Sequence, residues 1–293
     1  MKGIAKRTFI PPFSVFLIAA SALYLANAAA VRESVREALL LCGHALVPSL
    51  FPILVFSRLL AGNRRGGETE GGRSLFKNLA FGWVFGFPVG AMLMSEAVDA
   101  TEEPRIAPLL YLSCGTSATF VVSFVGLSLL KDIRLGIALY LAQLLSLLLL
   151  SLPALCRAKS ASWRDLSLQE PHLPLAEAIR LAAFDMLAIC GCVVFFGSVA
   201  DLVAVYLPED AMQYLLPWIE VSCAVSRLSR VQTLRARLLL GFAVGFGGAS
   251  AILQMLPFVK KAGGTALGLI LARCKAGILT ALFFFLFSLC APS

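Results

Sequence analysis

A series of long apolar segments runs along the chain, separated by short polar stretches. Most segments are close to the roughly 20 residues that a helix needs to cross a bilayer. The pattern therefore predicts an all-α fold, a polytopic transmembrane helical bundle. The apolar segments cover residues 9–31, 35–62, 75–98, 106–130, 134–156, 176–206, 211–228, 236–259 and 265–291.

Two of these segments are interrupted by residues that weaken helices. The first interruption is GFPVGAML at 86–93, and the second is VGFGGASAIL at 244–253. Gly lowers helix stability and Pro removes a backbone donor. Because unpaired backbone groups at membrane depth are costly, we expect these breaks to line a ligand site or a water-filled cavity. The alternative is close helix packing through small residues.

The distribution of basic residues predicts the topology. The Arg-rich stretches 61–74, 157–173 and 226–237 should face the cytoplasm. Two cytoplasmic loops need an even number of crossings between them, yet three apolar segments separate 61–74 from 157–173. Segment 106–130, which contains the polar run SCGTSATF, is the best candidate for a re-entrant element. This gives about eight crossings plus broken or re-entrant helices.

Two halves of the chain resemble each other, which predicts an inverted repeat of the kind that many transporters contain. Chance similarity between Leu- and Ala-rich segments is the alternative. The parallel stretches are 37–60 with 177–203, 85–97 with 243–255, and 135–150 with 267–282. The predicted units are an N-terminal anchor helix (1–34), a first repeat (35–157), a polar linker (158–174) and a second repeat (175–293).

The first apolar stretch has two interpretations. Lys2, Lys6 and Arg7 precede it and Ala26-Asn27-Ala28 follows it, as in a cleaved signal peptide. The same pattern fits an uncleaved first transmembrane helix, and the many spans that follow favour this second interpretation.

Composition excludes several classes of function. The chain is 59% hydrophobic and 14% charged, with a mean hydropathy of +0.86, whereas a soluble domain carries about 25% charged residues. The net charge is +8, and the basic residues lie mostly in short loops between apolar segments, so we expect no nucleic-acid partner. The eight cysteines lack a C-x-x-C pair and are interpreted as small apolar side chains. With two histidines, no G-x-S-x-G motif, no Walker A motif and no metal-ligand spacing, we predict no enzyme, cofactor or metal site.

The candidate binding residues lie at the interruptions and in nearby polar positions. Backbone groups freed at the breaks and short polar side chains would hydrogen-bond a small polar solute, and the two glutamates would bind a polar group or a coupling cation. Glu96 has an alternative interpretation as a water-exposed residue near the end of its segment. The predicted set is Gly86, Pro88, Gly90, Glu96, Ser113, Cys114, Gly115, Thr116, Ser117, Glu220, Ser222, Gly247, Gly248, Ser250 and Gln254.

Other polar residues within the apolar segments are interpreted as structural. Asp185 should pair with Arg180 or Arg58, and His44 should be a hydrogen-bonding group. Arg273 and Lys275 should extend their charged ends toward the membrane interface.

Five short motifs follow one another along the chain. They are LVPSLFPILVFSRLL (46–60), GFPVGAML (86–93), SCGTSATFVVSFVG (113–126), IEVSCAV (219–225) and GFGGASAILQ (245–254). In this order they resemble the motifs of the sporulation integral membrane proteins of the YlbJ type, and the resemblance covers most of the chain after about residue 35. This family belongs with the nucleoside-recognition Gate domain proteins, which include concentrative nucleoside transporters and the membrane part of the ferrous iron transporter B.

The resemblance implies a transporter-like fold in a bacterial cytoplasmic membrane and a connection with endospore formation. Two functions are open on this basis. The first is a transporter that binds or moves a small polar solute, with a coupling cation, between the two breaks. The second is a membrane assembly or scaffold protein of the developing spore that acts through other membrane proteins or as a homo-oligomer.

Overall fold

The computed structural model describes residues 12–61, 68–70, 72–98, 107–157, 162–164, 173–231 and 233–290, and nearly all of them are helical. Before residue 160 the helices are α1 (Pro12–Ala26), α2 (Ala28–Leu41), the π-helical π1 (Cys42–Leu46), α3 (Val47–Ala61), α4 (Gly72–Phe85), α5 (Val89–Val98), α6 (Ala107–Tyr111), the π-helical π2 (Phe120–Leu129) and α7 (Ile133–Arg157). After it they are α8 (Leu175–Ala204), α9 (Glu209–Ile219), α10 (Val221–Leu228), α11 (Leu234–Phe246), α12 (Gly248–Lys261) and α13 (Ala266–Cys290).

Within the described residues, four helical stretches are long and apolar enough to cross a membrane. They are Ile133–Arg157, Leu175–Ala204, Leu234–Lys261, which combines α11 and α12, and Ala266–Leu289. The all-α class is confirmed, and these four stretches support a membrane protein. The count of about eight crossings and the two repeated halves stay predictions.

Helices α4 and α5 fold back on each other. A Cβ atom placed on Gly82 would lie 2.6 Å from the Cα atom of Gly90, whereas residues eight apart in one helix are separated by about 12 Å. The chain turns at 86–88, where Gly86 has a φ of +81°. The sequence predicted that segment 106–130 folds back. This prediction was wrong, because the segment that folds back is the one formed by α4 and α5. Segment 107–129 is instead a helix that is interrupted at 112–119.

Helices α9 and α10 form a second folded-back pair. Glu209, at the start of α9, lines the same cavity as Arg230, just beyond the end of α10. Residues 21 apart in one continuous helix would be separated by about 30 Å. The turn lies at Glu220, whose backbone is extended with φ −154° and ψ 128°. The sequence pattern, which showed one apolar run over 211–228, did not predict this turn.

The second predicted interruption is present at 247–248. Helix α11 starts after Thr233, whose hydroxyl accepts a hydrogen bond from the Ala236 amide (3.2 Å). It ends at Gly247, which adopts the left-handed conformation with φ +90°, and Gly248 follows with φ +79°. Only glycine adopts this conformation without strain, so the pair of glycines ends one helix and begins the next in a new direction.

Helix α13 packs against α11 and α7 through small residues. A Cβ atom on Gly241 would lie 2.7 Å from the Cα of Ala281, so these two backbones are in direct contact. On the other side, α8 packs against α2 and α3. Arg58 of α3 donates two hydrogen bonds to the Asp185 carboxylate of α8, at 2.6 and 2.5 Å. Of the two partners expected for Asp185, Arg58 is therefore the one observed.

Two short strands join the Arg-rich stretch 61–74 to the predicted polar linker 158–174. Strand β1 (Glu68–Glu70) pairs antiparallel with β2 (Ser162–Arg164), with Thr69 opposite Trp163. This ladder links the stretch before α4 to the stretch after α7. The all-α description therefore has this one small exception within the described residues.

Candidate functional site

Four interruptions of helical structure meet in one place. We call 86–88 the first tip and 219–220 the second tip, because the chain folds back at each. We call 112–119 the first break and 247–248 the second break, because helices are interrupted there. Each tip packs against backbone of a break, so these contacts determine the geometry of the site.

The first tip contacts the first break through backbone atoms. The Phe87 amide donates a hydrogen bond to the Gly115 carbonyl oxygen (3.0 Å). A Cβ atom on Gly86 would lie 2.7 Å from the Ser117 backbone nitrogen. Glycine is thus required at position 86 both for its positive φ and for this close approach.

The second break contacts both tips. A Cβ atom on Gly248 would lie 3.0 Å from the Cα of Glu220 in the second tip. A Cβ atom on Gly247 would lie 2.7 Å from the Phe87 ring of the first tip. The glycine pair of the second break therefore holds the two folded-back pairs side by side.

A cavity of about 60 Å³, lined mostly by buried residues, lies between the tips and the breaks. A single water needs about 10–15 Å³ of such space, so the cavity has room for a few waters or for the polar part of a small solute. Hydrophobic side chains from π1, α3 and α8 complete its wall. Its lining residues are Leu46, Leu50, Phe87, Thr116, Ser117, Phe120, Ile189, Val193, Glu220, Val221, Ser222, Gly247, Ser250, Ala251 and Gln254.

Glu220 brings a carboxylate to this cavity. Its side chain is buried, and it is the N-cap of α10: Oε2 accepts a hydrogen bond from the Cys223 amide (2.7 Å). The N-terminal end of a helix carries partial positive charge, which favours a carboxylate there. Among the described residues that line the cavity, Glu220 is the only one with an ionisable side chain.

Hydroxyl and amide groups surround the same cavity. Ser117 accepts a hydrogen bond from the Phe120 amide at the start of π2 (3.2 Å). Gln254 donates to the Ser250 hydroxyl (3.4 Å), one turn into α12. The start of α12 has no side-chain cap. The cavity therefore offers several hydrogen-bonding groups around one carboxylate.

The structure divides the predicted binding residues into groups. The residues that line the cavity are Thr116, Ser117, Glu220, Ser222, Gly247, Ser250 and Gln254. The residues that lie at close backbone contacts or in the first tip instead are Gly86, Pro88, Gly90, Cys114, Gly115 and Gly248.

Two predicted residues remain, of which Ser113 also lies at a close backbone contact, with Gly82 and Gly90. The Ser113 hydroxyl donates to the Leu110 carbonyl (2.7 Å), within its own segment. Glu96 lies near the end of α5, and its side chain is outside the part of the structure that is described. A binding role for every residue of the predicted set stays a prediction.

Sequence reasoning missed the residues that support the breaks. Gln143 of α7 is fully buried and makes hydrogen bonds with Thr116 of the first break. Arg273 is also fully buried, so the expectation that it extends toward the membrane interface was wrong. A polar residue in the middle of an apolar helix was the available signal for both, since such residues usually face a partner.

A second, larger cavity lies on the other side of α10. Its volume is about 430 Å³, and it is lined by charged residues that include Glu37, Asp201, Glu209, Arg227 and Arg230. Arg227 forms an ion pair with Asp201 across it. Cys223 lines this outer cavity, whereas Ser222 lines the inner one. Helix α10 is therefore the wall between the two.

These features describe a helical protein, with helices long and apolar enough to cross a membrane, in which paired short helices surround a mainly apolar cavity that holds one carboxylate. Comparison of the chain with protein-family models, with curated proteins and with solved structures gives no match. The resemblance to Gate-domain proteins thus stays a prediction from the motifs.

Proposed function

We propose that the protein is a transporter-like membrane protein that binds a small polar solute in the inner cavity. The observation that carries this proposal is the convergence of two tips and two breaks on a cavity in which, among the described residues, the buried side chain of Glu220 is the one carboxylate. Broken helices at membrane depth are typical of binding sites in secondary transporters. The carboxylate of Glu220 favours a solute that donates hydrogen bonds or carries positive charge.

The order of elements supports an internal duplication in a register that differs from the sequence-based one. In the first half, the folded-back pair α4–α5 is followed by the interrupted helix 107–129 and the long helix α7. In the second half, the pair α9–α10 is followed by the interrupted helix 234–261 and the long helix α13. In this register Gly86–Pro88 corresponds to Glu220, and the first break corresponds to 247–248.

The motif resemblance adds a biological setting to this proposal. It implies a cytoplasmic membrane location in a bacterium that forms endospores. The alternative function is a membrane assembly or scaffold protein of sporulation, in which the cavity has only a structural role. The two functions differ in whether a solute binds near Glu220 and whether the inner cavity is reached from water.

A ligand panel tests solute binding directly. The detergent-purified protein is heated with nucleosides, nucleobases, metal ions and small molecules of the spore. A ligand at 100 times its Kd adds about 2.7 kcal/mol to the free energy of unfolding, which should raise the Tm by about 5 °C or more. We expect one chemical class to produce this shift.

Glu220→Gln should abolish that shift, because it removes the charge while an amide oxygen still accepts from the Cys223 amide. Glu33→Gln is the matched control, since Glu33 is exposed and its ion pair within the described residues is with Arg36 on its own helix. A flat panel with folded protein would contradict the proposal and favour the assembly function.

We expect the outer cavity to be the aqueous route to the inner one. Single cysteines at Ser226 (outer), Ser222 (inner) and Ser146 (buried in α7) are introduced into a cysteine-free background and treated in vesicles with a membrane-impermeant thiol reagent. Ser226→Cys should react fast and Ser146→Cys should not react. Ser222→Cys should react slowly, and up to about fivefold faster when Asp201→Asn removes the ion pair with Arg227, because a partly exposed ion pair contributes up to about 1 kcal/mol.

The outcome that contradicts the route is equally clear. If Ser222→Cys stays unreactive in both backgrounds while Ser226→Cys reacts, the wall formed by α10 does not open. The inner cavity would then be closed to water from this side.

A further inference from the structure

Arg273 is a buried cation that is held by backbone carbonyl groups. Its Nε donates to the Phe246 carbonyl (3.1 Å), Nη1 donates to the Cys114 carbonyl (2.6 Å), and Nη2 donates to the Gly245 carbonyl. The side chain has no exposed surface. The ion pairs of the described residues do not include it.

The carbonyl groups come from two different interruptions of helical structure. Gly245 and Phe246 are the last residues of α11, at the helix end that carries partial negative charge. Cys114 lies in the first break. In secondary transporters with broken helices, such unwound carbonyls and half-helix C-termini are the groups that coordinate a coupling cation. Here carbonyl groups of this kind accept hydrogen bonds from a guanidinium group.

We infer that Arg273 is a permanent, covalently tethered cation at the place where a broken-helix transporter would bind a coupling ion, so that this place needs no inorganic cation. The inference rests on the proposed transporter-like function. Without a positive charge, three buried carbonyl dipoles from two segments would face one another unpaired. Arg273 therefore holds the end of α11 against the first break.

Arg273 also reaches the solute cavity through one aromatic ring. The guanidinium carbon lies 4.8 Å from the centre of the Phe87 ring, within the range of a cation–π interaction. Phe87 belongs to the first tip and lines the inner cavity. Arg273 is thus a positioning residue: it orders the first tip, the first break and the second break without itself lining the cavity.

Chemical rescue tests this role with a stability measurement. Wild type, Arg273→Ala and the control Lys275→Ala, an exposed residue of the same helix, are melted at constant ionic strength in choline, sodium, potassium or dilute guanidinium chloride. Wild type and Lys275→Ala should have equal Tm values in each salt, and neither should gain Tm saturably with a small cation. Arg273→Ala should melt about 10 °C lower in choline and should regain about 5 °C, saturably, with one of the small cations.

Two outcomes would overturn the inference. One is a folded Arg273→Ala protein that no cation stabilises, because the arginine would then act only through packing. The other is a saturable sodium or potassium stabilisation that is equal in wild type and Arg273→Ala, because the coupling-ion place would then lie elsewhere.

A second pair of variants keeps the test decisive if Arg273→Ala does not fold. Arg273→Lys retains the charge, whereas Arg273→Gln retains hydrogen-bond donors without charge. The Tm of Arg273→Lys should lie at least halfway from that of Arg273→Gln to that of wild type. Equal Tm values of the two variants would contradict the need for a cation. No solute is used in these measurements, so their result is independent of the ligand panel.

Discussion

Gly90→Ala is expected to lower the free energy of unfolding by at least about 3 kcal/mol, at the upper end of what overpacking costs. A Cβ atom at this position would lie 2.2 Å from the Ser113 carbonyl oxygen and 2.8 Å from the Cα of Gly82. Both neighbours are backbone atoms that cannot rotate away. Either α4 and α5 must therefore move apart, or the pair must move away from the first break.

The matched control is Gly191→Ala in the middle of α8. A Cβ atom there would meet nothing within 4 Å, so the substitution should be neutral or should stabilise by up to about 1 kcal/mol through helix propensity. Both variants are compared by thermal melting in the same detergent. Equal melting of Gly90→Ala and Gly191→Ala would show that α4 and α5 are not in close contact.

The helices were more predictable from the sequence than their directions. Apolar length marks a helix locally, so α7, α8 and α13 appear in both descriptions with similar bounds. A fold-back depends on contacts between distant residues, such as that of Gly82 with Gly90. Hydropathy does not contain this information, and segment 106–130 was chosen as re-entrant because of its polar residues alone.

The second tip shows a different limit. Its turn at Glu220 contains no glycine, and the residues around it are as apolar as a continuous helix. What ends α9 is the extended backbone of Glu220, which then caps α10 with its own carboxylate. An isolated glutamate in an apolar run was interpreted as a binding residue, although it also fits an N-cap.

The candidate site was predictable where polar side chains lie close to an interruption in the sequence. Hydroxyl groups and a carboxylate near the interruptions lie on the cavity wall, as for Ser250 and Glu220. The supporting residues were missed because their partners are mostly backbone groups, which every sequence contains. Arg273 donates to backbone carbonyl groups. Gln143 pairs with the backbone of Thr116 and accepts from its hydroxyl group, so one short polar side chain in a different segment was the only partner that could have marked it.

Gln143→Leu should be among the most destabilising single changes outside the cavity. The Gln143 amide satisfies both backbone groups of Thr116: Oε1 accepts from the Thr116 amide (3.1 Å), and Nε2 donates to the Thr116 carbonyl (2.9 Å). Leucine has a similar size but leaves both groups buried and unpaired. Each such group costs about 1–3 kcal/mol, so we expect a loss of about 2–6 kcal/mol in the free energy of unfolding.

Ser146→Ala is the matched control for Gln143→Leu. Ser146 is also buried on α7, but its hydroxyl donates only to the Ala142 carbonyl of the same helix (2.7 Å). Its removal should cost about 1 kcal/mol or less. Because Thr116 lines the inner cavity, Gln143→Leu should also weaken any ligand shift found with the panel, whereas Ser146→Ala should preserve it. Equal stability and equal ligand shifts in the two variants would mean that the first break keeps its shape without Gln143, and that helix α7 does not position the cavity.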